Sequence, residues 1–326
     1  MADVARAAGV SRALVSIVMR DAPGASAAMR QHVKETAAAL GYRANTAAQV
    51  LRRSRSHNVG VLFSPRFPFE VEIVEAMYPA ADAHGYTVVL GAMAGTRDLD
   101  EAVDELVGHR CEALVLVGLD RPDGWFEQVR GRLGLVRVGR MPSSAAVDVV
   151  RSDERRGVSV ALRHLADLGH RRIAFVGGGT MPGASERAAA YRAGMRRLGL
   201  AAEVMVLEGD YTDEGGAAAA RALLDGGTDV TAVLAANDWS AVGLLGELAR
   251  RGVHVPTDVS VVGYDDSDLA RRSYVDLTSV RQDPAALAAA AIAAVRLRLE
   301  QPDAPPIETV LPSRLVVRSS TAAPRR

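Results

Sequence analysis

Residues 3–19 read DVARAAGVSRALVSIVM, and the spacing predicts two short helices, over 3–8 and 11–19, joined by a turn at Gly9-Val10. Gly9 stands where a tight turn needs a positive φ that a β-carbon would oppose. Ala5 is small where the helices must cross, Val4, Val10, Val15 and Val18 supply the apolar contacts between them, and Ser11 is placed to cap the second helix. A generic helical hairpin shares these features; the basic excess together with the segments that follow makes it the weaker reading beside a helix-turn-helix. Residues 1–56 hold nine Lys and Arg against three Asp and Glu, a net of +6, and the remainder of this zero-net-charge chain is therefore −6. A basic head on an acidic body suggests a polyanion partner or a solvated helical surface, and charge alone does not decide between them. Arg12 and Ala13, early in the second helix, would then face base edges in a major groove.

Working outward, the breaker-rich DAPGAS leads into a third predicted helix over 26–39, with Ser26 as its N-cap and Gly41 as its stop. Asn45 caps a short helical stretch, TAAQVLRR, before the linker-like SRSHN. From Val59 the texture changes. VGVLF, YTVVLGA, EALVLVG, LVRVG, RIAFVGGG, TAVLAAN and VSVVGYD are short Val/Leu-rich runs of the kind buried on both faces of parallel sheets. Helical stretches lie between them at 69–84, 98–109, 154–168, 184–197, 213–225 and 238–251, and an alanine-rich helix covers 285–294. This is an α/β doubly wound pattern with more units than one small sheet holds, so two similar lobes are expected.

Composition narrows the function classes. The 326 residues are 48% hydrophobic and 24% charged, with no apolar run long enough to span a bilayer. The start, MADVARAAGVSR, lacks a secretory pattern, so a cytoplasmic protein without membrane attachment is expected. The single cysteine, Cys111, opens a strand-like run and reads as a buried structural thiol. An enzyme finds little support. GGGTMPG does not give the GxGxxG spacing, Lys34 is the sole lysine and fits no phosphate loop, and no GxSxG elbow occurs. The seven histidines lack metal-ligand spacing, so packing or solvated roles are expected for His164 and His170, and neither metal nor cofactor is expected.

Taken together, DVARAAGVS, VS at 15–16 and LGYRANTAAQVLR, followed in order by DLGHRRIAFVGG, TAVLAANDWSAVG, VPTDVSVVGYDD, LTSVRQD and LPSRLVVRSST, resemble the lactose- and galactose-repressor (LacI/GalR) family along nearly the whole chain. The resemblance implies a small all-α helix-turn-helix headpiece over 1–44 and a hinge helix and linker over 45–57. An α/β two-lobed periplasmic-binding-protein-like domain with doubly wound parallel sheets would cover 58–326. It also implies a homodimeric transcription regulator, a repressor by preference, on pseudo-palindromic double-stranded operator DNA, controlled by a small-molecule effector such as a sugar or related metabolite.

The residues carried over for DNA are Ser11, Arg12, Ala13, Ser16 and Ile17 in the recognition helix, and Asn45, Ala48, Leu51 and Arg52 in the hinge. Ala47 and Ala48 would let two hinge helices pack closely, and Leu51 would wedge into a minor-groove base step, where unstacking is offset by contacts to the bent duplex. Without the resemblance, Leu51 reads as a linker residue packing on its own headpiece. Two departures stand out. Only Met1 and Ala2 precede Asp3, so the first helix lacks the family's usual cap and a start upstream of Met1 stays open. Ile17 stands where the family often has Arg, so the bidentate guanine contact is lost and a different operator is expected. The ending RSSTAAPRR carries no heptads, so a tetramer is not expected.

For the effector, strand ends facing a crevice are the natural positions. Ser64, Asn237 and Asp265 each follow a predicted strand, Arg187 starts a helix soon after another, and by resemblance all four match effector-binding positions. Tyr211 matches a position where an aromatic ring stacks on the ligand, and Phe67 and Phe69 offer an apolar wall. Arg donating in a planar fork, Asp accepting paired hydroxyls and Asn doing both suit a polyol. Turn structure alone also accounts for Asn237 and Asp265. Arg140, at a further strand end, suits an acidic or phosphorylated ligand, or is a surface arginine. The rival to a regulator is a sugar-binding solute receptor with no DNA role, and inducer versus corepressor control stays open.

Overall fold

The computed structural model describes residues 1–19, 21–42, 55–119, 121–139, 147–227 and 229–325. The chain divides into two compact units, Met1–Ser56 and His57–Arg326. In the first, α1 (Ala2–Ala7), α2 (Arg12–Met19) and α3 (Ala27–Ala39) enclose a small core of Val4, Ala5, Val15, Val18, Val33 and Ala37. Gly9 adopts φ +66° between α1 and α2, as the turn requires. The Ser11 hydroxyl accepts from Leu14 N–H at 3.1 Å and that of Ser26 from Met29 N–H at 3.3 Å, so both expected caps are made. Helix α1 starts without a side-chain cap. His32 Nε2 lies 3.2 Å from the Ala8 carbonyl and ties α3 to the end of α1.

The second unit contains two six-stranded sheets. The first holds β1 (Asn58–Phe63), β2 (Thr87–Ala92), β3 (Cys111–Val117), β4 (Gly134–Val138), β5 (Asp148–Ser152) and β11 (Glu308–Leu311), all parallel, in the order β11-β5-β4-β3-β1-β2. The second holds β6 (Ile173–Val176), β7 (Met205–Leu207), β8 (Ala232–Ala235), β9 (Ser260–Asp265), β10 (Thr278–Arg281) and β12 (Arg314–Val316), in the order β12-β10-β9-β8-β6-β7, with only β12 antiparallel. Both sheets thus run second-first-third-fourth-fifth, a repeat of architecture that no repeat in the sequence announces.

Helices cover both faces of each sheet, which is why the central strands are mostly apolar. On the first sheet, α4 (Pro68–Asp82) and α11 (Pro284–Glu300) share a core with Val59, Val61, Val115 and Val136, while α5 (Leu99–Gly108) and α6 (Asp123–Arg130) pack opposite against Leu62, Leu114 and Leu116. On the second, α7 (Glu154–Asp167) and α8 (Ala184–Arg197) cover one face, and α9 (Asp213–Asp225) and α10 (Asp238–Arg250) the other. Cys111 is buried at the start of β3, and burial pushes its thiol up to about 11, which leaves it inert.

The chain passes between the lobes three times: from β5 into α7, from β10 into α11, and from β11 into β12. Two crossings end in caps, with Asp153 accepting from Arg156 N–H at 2.9 Å and Asp283 from Ala286 N–H at 3.2 Å. The first and third are bonded together, Asp153 N–H donating to Leu311 O at 2.8 Å and Arg156 Nε to Ser313 O at 3.2 Å. The alanine-rich helix, expected over 285–294, extends to Glu300.

Helices α9 and α10 approach at two glycines. A β-carbon on Gly216 would strike the backbone carbonyl of Ser240, and one on Gly243 that of Asp213. Beside β6, His170 is buried and knits the sheet to the C-terminal segment. Its Nδ1 lies 2.9 Å from Thr231 Oγ1, and its Nε2 is 2.8 Å from Ala322 O and 3.1 Å from Ser260 Oγ. A carbonyl only accepts, so Nε2 carries a proton, and burial lowers the pKa of the ring, which favours its neutral form.

Gly216→Ala should lower stability by about 1–3 kcal/mol, because backbone atoms must move to admit a methyl. Gly246→Ala, on α10 with open space around it, should raise stability by about 0.5–1 kcal/mol; equal denaturation midpoints for the two variants would contradict the close-approach account. The lowered His170 pKa means that the unfolded chain takes up the proton first as pH falls through 6.5, so stability is full above 6.5 and lost below it. In urea melts, His170→Asn should therefore be about 1–3 kcal/mol weaker at pH 7.5 yet lose less than the wild type on going to pH 5.5. An unchanged pH-dependent loss would rule out a neutral buried His170.

Candidate functional site

In the headpiece, Arg12, Ala13, Ser16 and Ile17 fall at i, i+1, i+4 and i+5 of α2, on the side away from the buried Val15 and Val18. Ser11, Arg12 and Ala13 are exposed, and Ser16 and Ile17 half-buried. The sequence-predicted DNA-contacting residues of α2 are thus brought to one face. Asn45, Ala48, Leu51 and Arg52 lie outside the described residues, as does Arg140.

In the second unit, a cleft opens between the two sheets at the carboxyl ends of their strands. The first lobe contributes Phe67, Pro68, Phe69, Glu70 and Ile73, around the start of α4, with Val117-Gly118 and Val138-Gly139 at the ends of β3 and β4. The second contributes Glu154, Arg187, Tyr211, Asn237, Asp238, Trp239, Asp265 and Gln282. Of the sequence-predicted residues, Phe67, Phe69, Arg187, Tyr211, Asn237 and Asp265 come together here. Ser64 does not line the cleft. Its N–H donates to Glu70 Oε2 at 2.9 Å, and Glu70 takes the cleft-facing place at that strand end.

Arg187 is the centre of the polar floor. Its side chain is 5% exposed. Nε donates to Glu154 Oε2 at 2.7 Å and Nη2 to Glu154 Oε1 at 3.2 Å, a bidentate pair, and Nη1 donates to Ala236 O at 2.5 Å and lies 3.8 Å from Asp265 Oδ1. The guanidinium also stacks on the Tyr264 ring, 3.8 Å from its centroid, and faces Tyr211 at 5.6 Å. Burial opposes its charge, but Glu154, the two tyrosines and Asp265 overturn that and hold its pKa well above the ordinary value. A second fact explains the room for Glu154: Gly183 sits at φ +74°, and a β-carbon there would press on Glu154 Oε1 at 3.0 Å.

Asn237 has two roles. Its Oδ1 caps α10 by accepting from Ser240 N–H at 2.9 Å, and its Nδ2 donates to Tyr211 O at 3.0 Å. Turn structure therefore accounts for most of its bonds, and its place in the cleft comes with that. Asp265, at φ +117°, accepts from Gln282 Nε2 at 2.7 Å. Burial raises its pKa well above the usual carboxylate value, with the nearby Asp238 adding to the rise and Arg187 opposing it. Burial likewise pushes Asp238 up to about 7, although Ser279 Oγ donates to it at 2.5 Å and Ser267 N–H and Oγ at 2.7 and 2.8 Å. The cleft mouth is bridged as well: Asp268 N–H donates to Glu72 Oε1 at 2.8 Å, and Arg271 Nη2 to Glu72 Oε2 at 3.4 Å.

Sequence reasoning missed Glu154, Trp239 and Gln282. Gln282 follows β10 and was findable by the strand-end rule; Glu154 follows β5, whose DVVRS run is interrupted by an arginine and does not read as a strand. Among the described residues there is no group of His, Cys, Asp and Glu fit to hold a metal, and no helix long and apolar enough to cross a membrane.

Residues 1–45 match the bacterial regulatory proteins, lacI family, and residues 162–321 a periplasmic binding protein-like domain. The chain is 34% identical to the HTH-type transcriptional regulator MalR of Streptomyces coelicolor, across 99% of this chain and 96% of that one. It is 31% identical to the regulator GalR of Escherichia coli, across 99% and 95%. Its fold is similar to that of the lac repressor dimer bound to operator and the anti-inducer ONPF, with a TM-score of 0.84 at 28% identity over 98% of both chains. It is also similar to a transcriptional regulator CelR–cellobiose complex, with a TM-score of 0.74 at 31% identity over 97% and 98%. These relatives are regulators rather than enzymes, and none supports a solute receptor without a DNA role. An exposed second helix on a basic headpiece, a strand-end cleft between two like sheets and full-length relatives of the same design agree: the chain belongs to the LacI/GalR family of helix-turn-helix transcriptional regulators.

Proposed function

We propose that this regulator is a repressor that binds a pseudo-palindromic operator as a homodimer and changes its operator affinity when a sugar occupies the interlobe cleft. The observation that carries the reading is the convergence of Arg187, Asn237, Asp265 and Gln282 beneath the rings of Phe67, Phe69, Tyr211 and Trp239. Donors and acceptors set beside Tyr211 and Trp239 on the second lobe, with Phe67 and Phe69 contributed by the first, offer the two kinds of surface that a sugar ring presents. The relative solved with cellobiose and the repressor dimer solved on operator support the same assignment. A two-fold protein with one recognition helix per headpiece calls for a two-fold site. Ser11, Arg12, Ala13, Ser16 and Ile17 would read bases, and Asn45, Ala48, Leu51 and Arg52 would serve the hinge in the minor groove.

Coupling is reciprocal, so a sugar that changes operator affinity must itself bind with an affinity that DNA changes by the same factor. Operator titrations with and without sugar, and sugar titrations with and without operator, test the proposal; equal affinities in both pairs would refute it.

Arg12→Ala should lose about 1–3 kcal/mol of operator affinity while nonspecific DNA binding falls far less, if Arg12 reads a base. Both affinities are measured at one salt concentration, and equal losses would make it a phosphate contact. For the cleft, Arg187→Ala is a poor probe, because it strands the buried Glu154 and costs about 3–5 kcal/mol of fold stability. Asp265→Asn is cleaner: asparagine tolerates positive φ and keeps an acceptor for Gln282. Its expected result is a sugar affinity about tenfold weaker, a blunted operator response and an undiminished melting temperature. A wild-type sugar affinity would remove Asp265 from the site.

A further inference from the structure

We propose that Glu70 is the specificity-determining residue of the first lobe. Its carboxylate accepts the proton of a hydroxyl on the sugar edge opposite the one that the second lobe holds. The cleft thereby selects a polyol with a hydroxyl at that position over one without it. The proposal rests on the reading of the cleft as a sugar site. The second lobe brings Arg187, Asn237, Asp265 and Gln282 to the cleft, and the first lobe meets them with Phe67, Phe69, Ile73, Val117 and Val138. Among the described residues of that first-lobe lining, Glu70 has the one polar side chain. A hydroxyl pressed against phenylalanine and valine side chains gives up its bond to water and gains none in return, which is unfavourable. Beside Glu70 the same hydroxyl donates to a carboxylate, a stronger bond than one between neutral groups. The first lobe therefore discriminates at one place along the ligand, where this carboxylate stands.

The fold sets that place. Glu70 lies in the first turn of α4, where the helix dipole favours an acidic group. Ser64 N–H, just past the end of β1, donates to Oε2 at 2.9 Å. Gly118, just past the end of β3, sits at φ +66°, and a β-carbon there would collide with Oε1. The carboxylate thus lies across the ends of two paired strands, in space that a glycine at 118 leaves open. Nearby backbone donors are committed to the sheet, Gly118 N–H to Val138 O at 3.0 Å and Gly139 N–H to Val150 O at 2.9 Å. A carboxylate offers about four acceptor positions, so the bond that anchors Glu70 is compatible with another from a ligand.

The full-length chain is titrated by calorimetry with glucose, galactose, ribose and cellobiose, and then with the deoxyfluoro analogues of whichever sugar binds, one position at a time. Fluorine is close to a hydroxyl in size and polarity but has no proton to donate. One position is expected at which fluorine weakens binding to the wild type about tenfold. In Glu70→Gln, a carbonyl remains for Ser64 N–H and an N–H donor replaces the other oxygen. This variant should bind the parent sugar about tenfold more weakly, show no further loss with fluorine at that position, and melt with the wild type. Positions read by the second lobe should lose equally in both proteins. A Glu70 that merely anchors the strand-end turn predicts equal fluorine losses at every position. That result, or a folded Glu70→Gln with wild-type affinity for the parent sugar, overturns the proposal alone. If the glutamine variant does not fold, Glu70→Asp draws the carboxylate back by one methylene and must lose discrimination at the same position. No heat of binding with any of the sugars overturns the sugar reading of the cleft, and the proposal with it.

Discussion

A guanidinium almost wholly removed from water has to be neutralised where it stands, and the second lobe is arranged around meeting that need for Arg187. An isolated buried charge costs far more than a domain's net stability can absorb, so its partners must be close and fixed. They come from distant parts of the chain: Glu154 from the first lobe crossing, Ala236 from the end of β8, Asp265 from the end of β9, and the Tyr264 ring beneath. One charge thus fastens α8 to two strand ends and to the crossing segment. The same arrangement leaves a half-satisfied donor group facing the cleft, so the stability of the floor and its capacity to bind have a common origin.

The elements that local chemistry specifies are legible in the amino-acid sequence. Gly9 and the caps Ser11 and Ser26 mark the headpiece helices, and helices 184–197 and 213–225 match the bounds that their residues predict. The largely buried strands β1, β3, β8 and β9 read clearly because helices on both faces require a run of apolar residues through the middle of each. The elements that escape are those whose reason for existing lies elsewhere in the chain. Strands β7, β11 and β12 are only three or four residues long, and β11 joins β5 across nearly half the sequence. Helix 123–130 is only eight residues long, so Trp125, Phe126 and Val129 give a single short stretch of helical spacing to read.

The cleft shows the same division. Aromatic residues after a strand and polar residues at strand ends point to Phe67, Phe69, Asn237 and Asp265. Nothing near Glu154 in the sequence indicates that its carboxylate faces an arginine 33 residues away. Resemblance locates Arg187 but not its partner, and the partner changes what the arginine offers a ligand. Ser64 fails in an instructive way. It sits at the expected strand end, yet Glu70, at the start of the next helix, accepts its N–H and supplies the lining instead.

The three lobe crossings have a consequence for how the protein is made. Helix α11 and strand β11 belong to the first lobe but follow the entire second-lobe core in sequence. When the ribosome has delivered β5, one face of the first sheet still lacks Leu287, Ile292 and Val295, the residues that cover Val59, Val61, Val115 and Val136. Elongation at ordinary bacterial speeds leaves that valine face covered by α4 alone for on the order of 10–30 s before the rest of its cover emerges. The second lobe, nearly contiguous in sequence, is free to assemble first. The nascent first lobe is therefore the natural client for a chaperone, and the interval is set by the chain's topology rather than by the strength of any single contact.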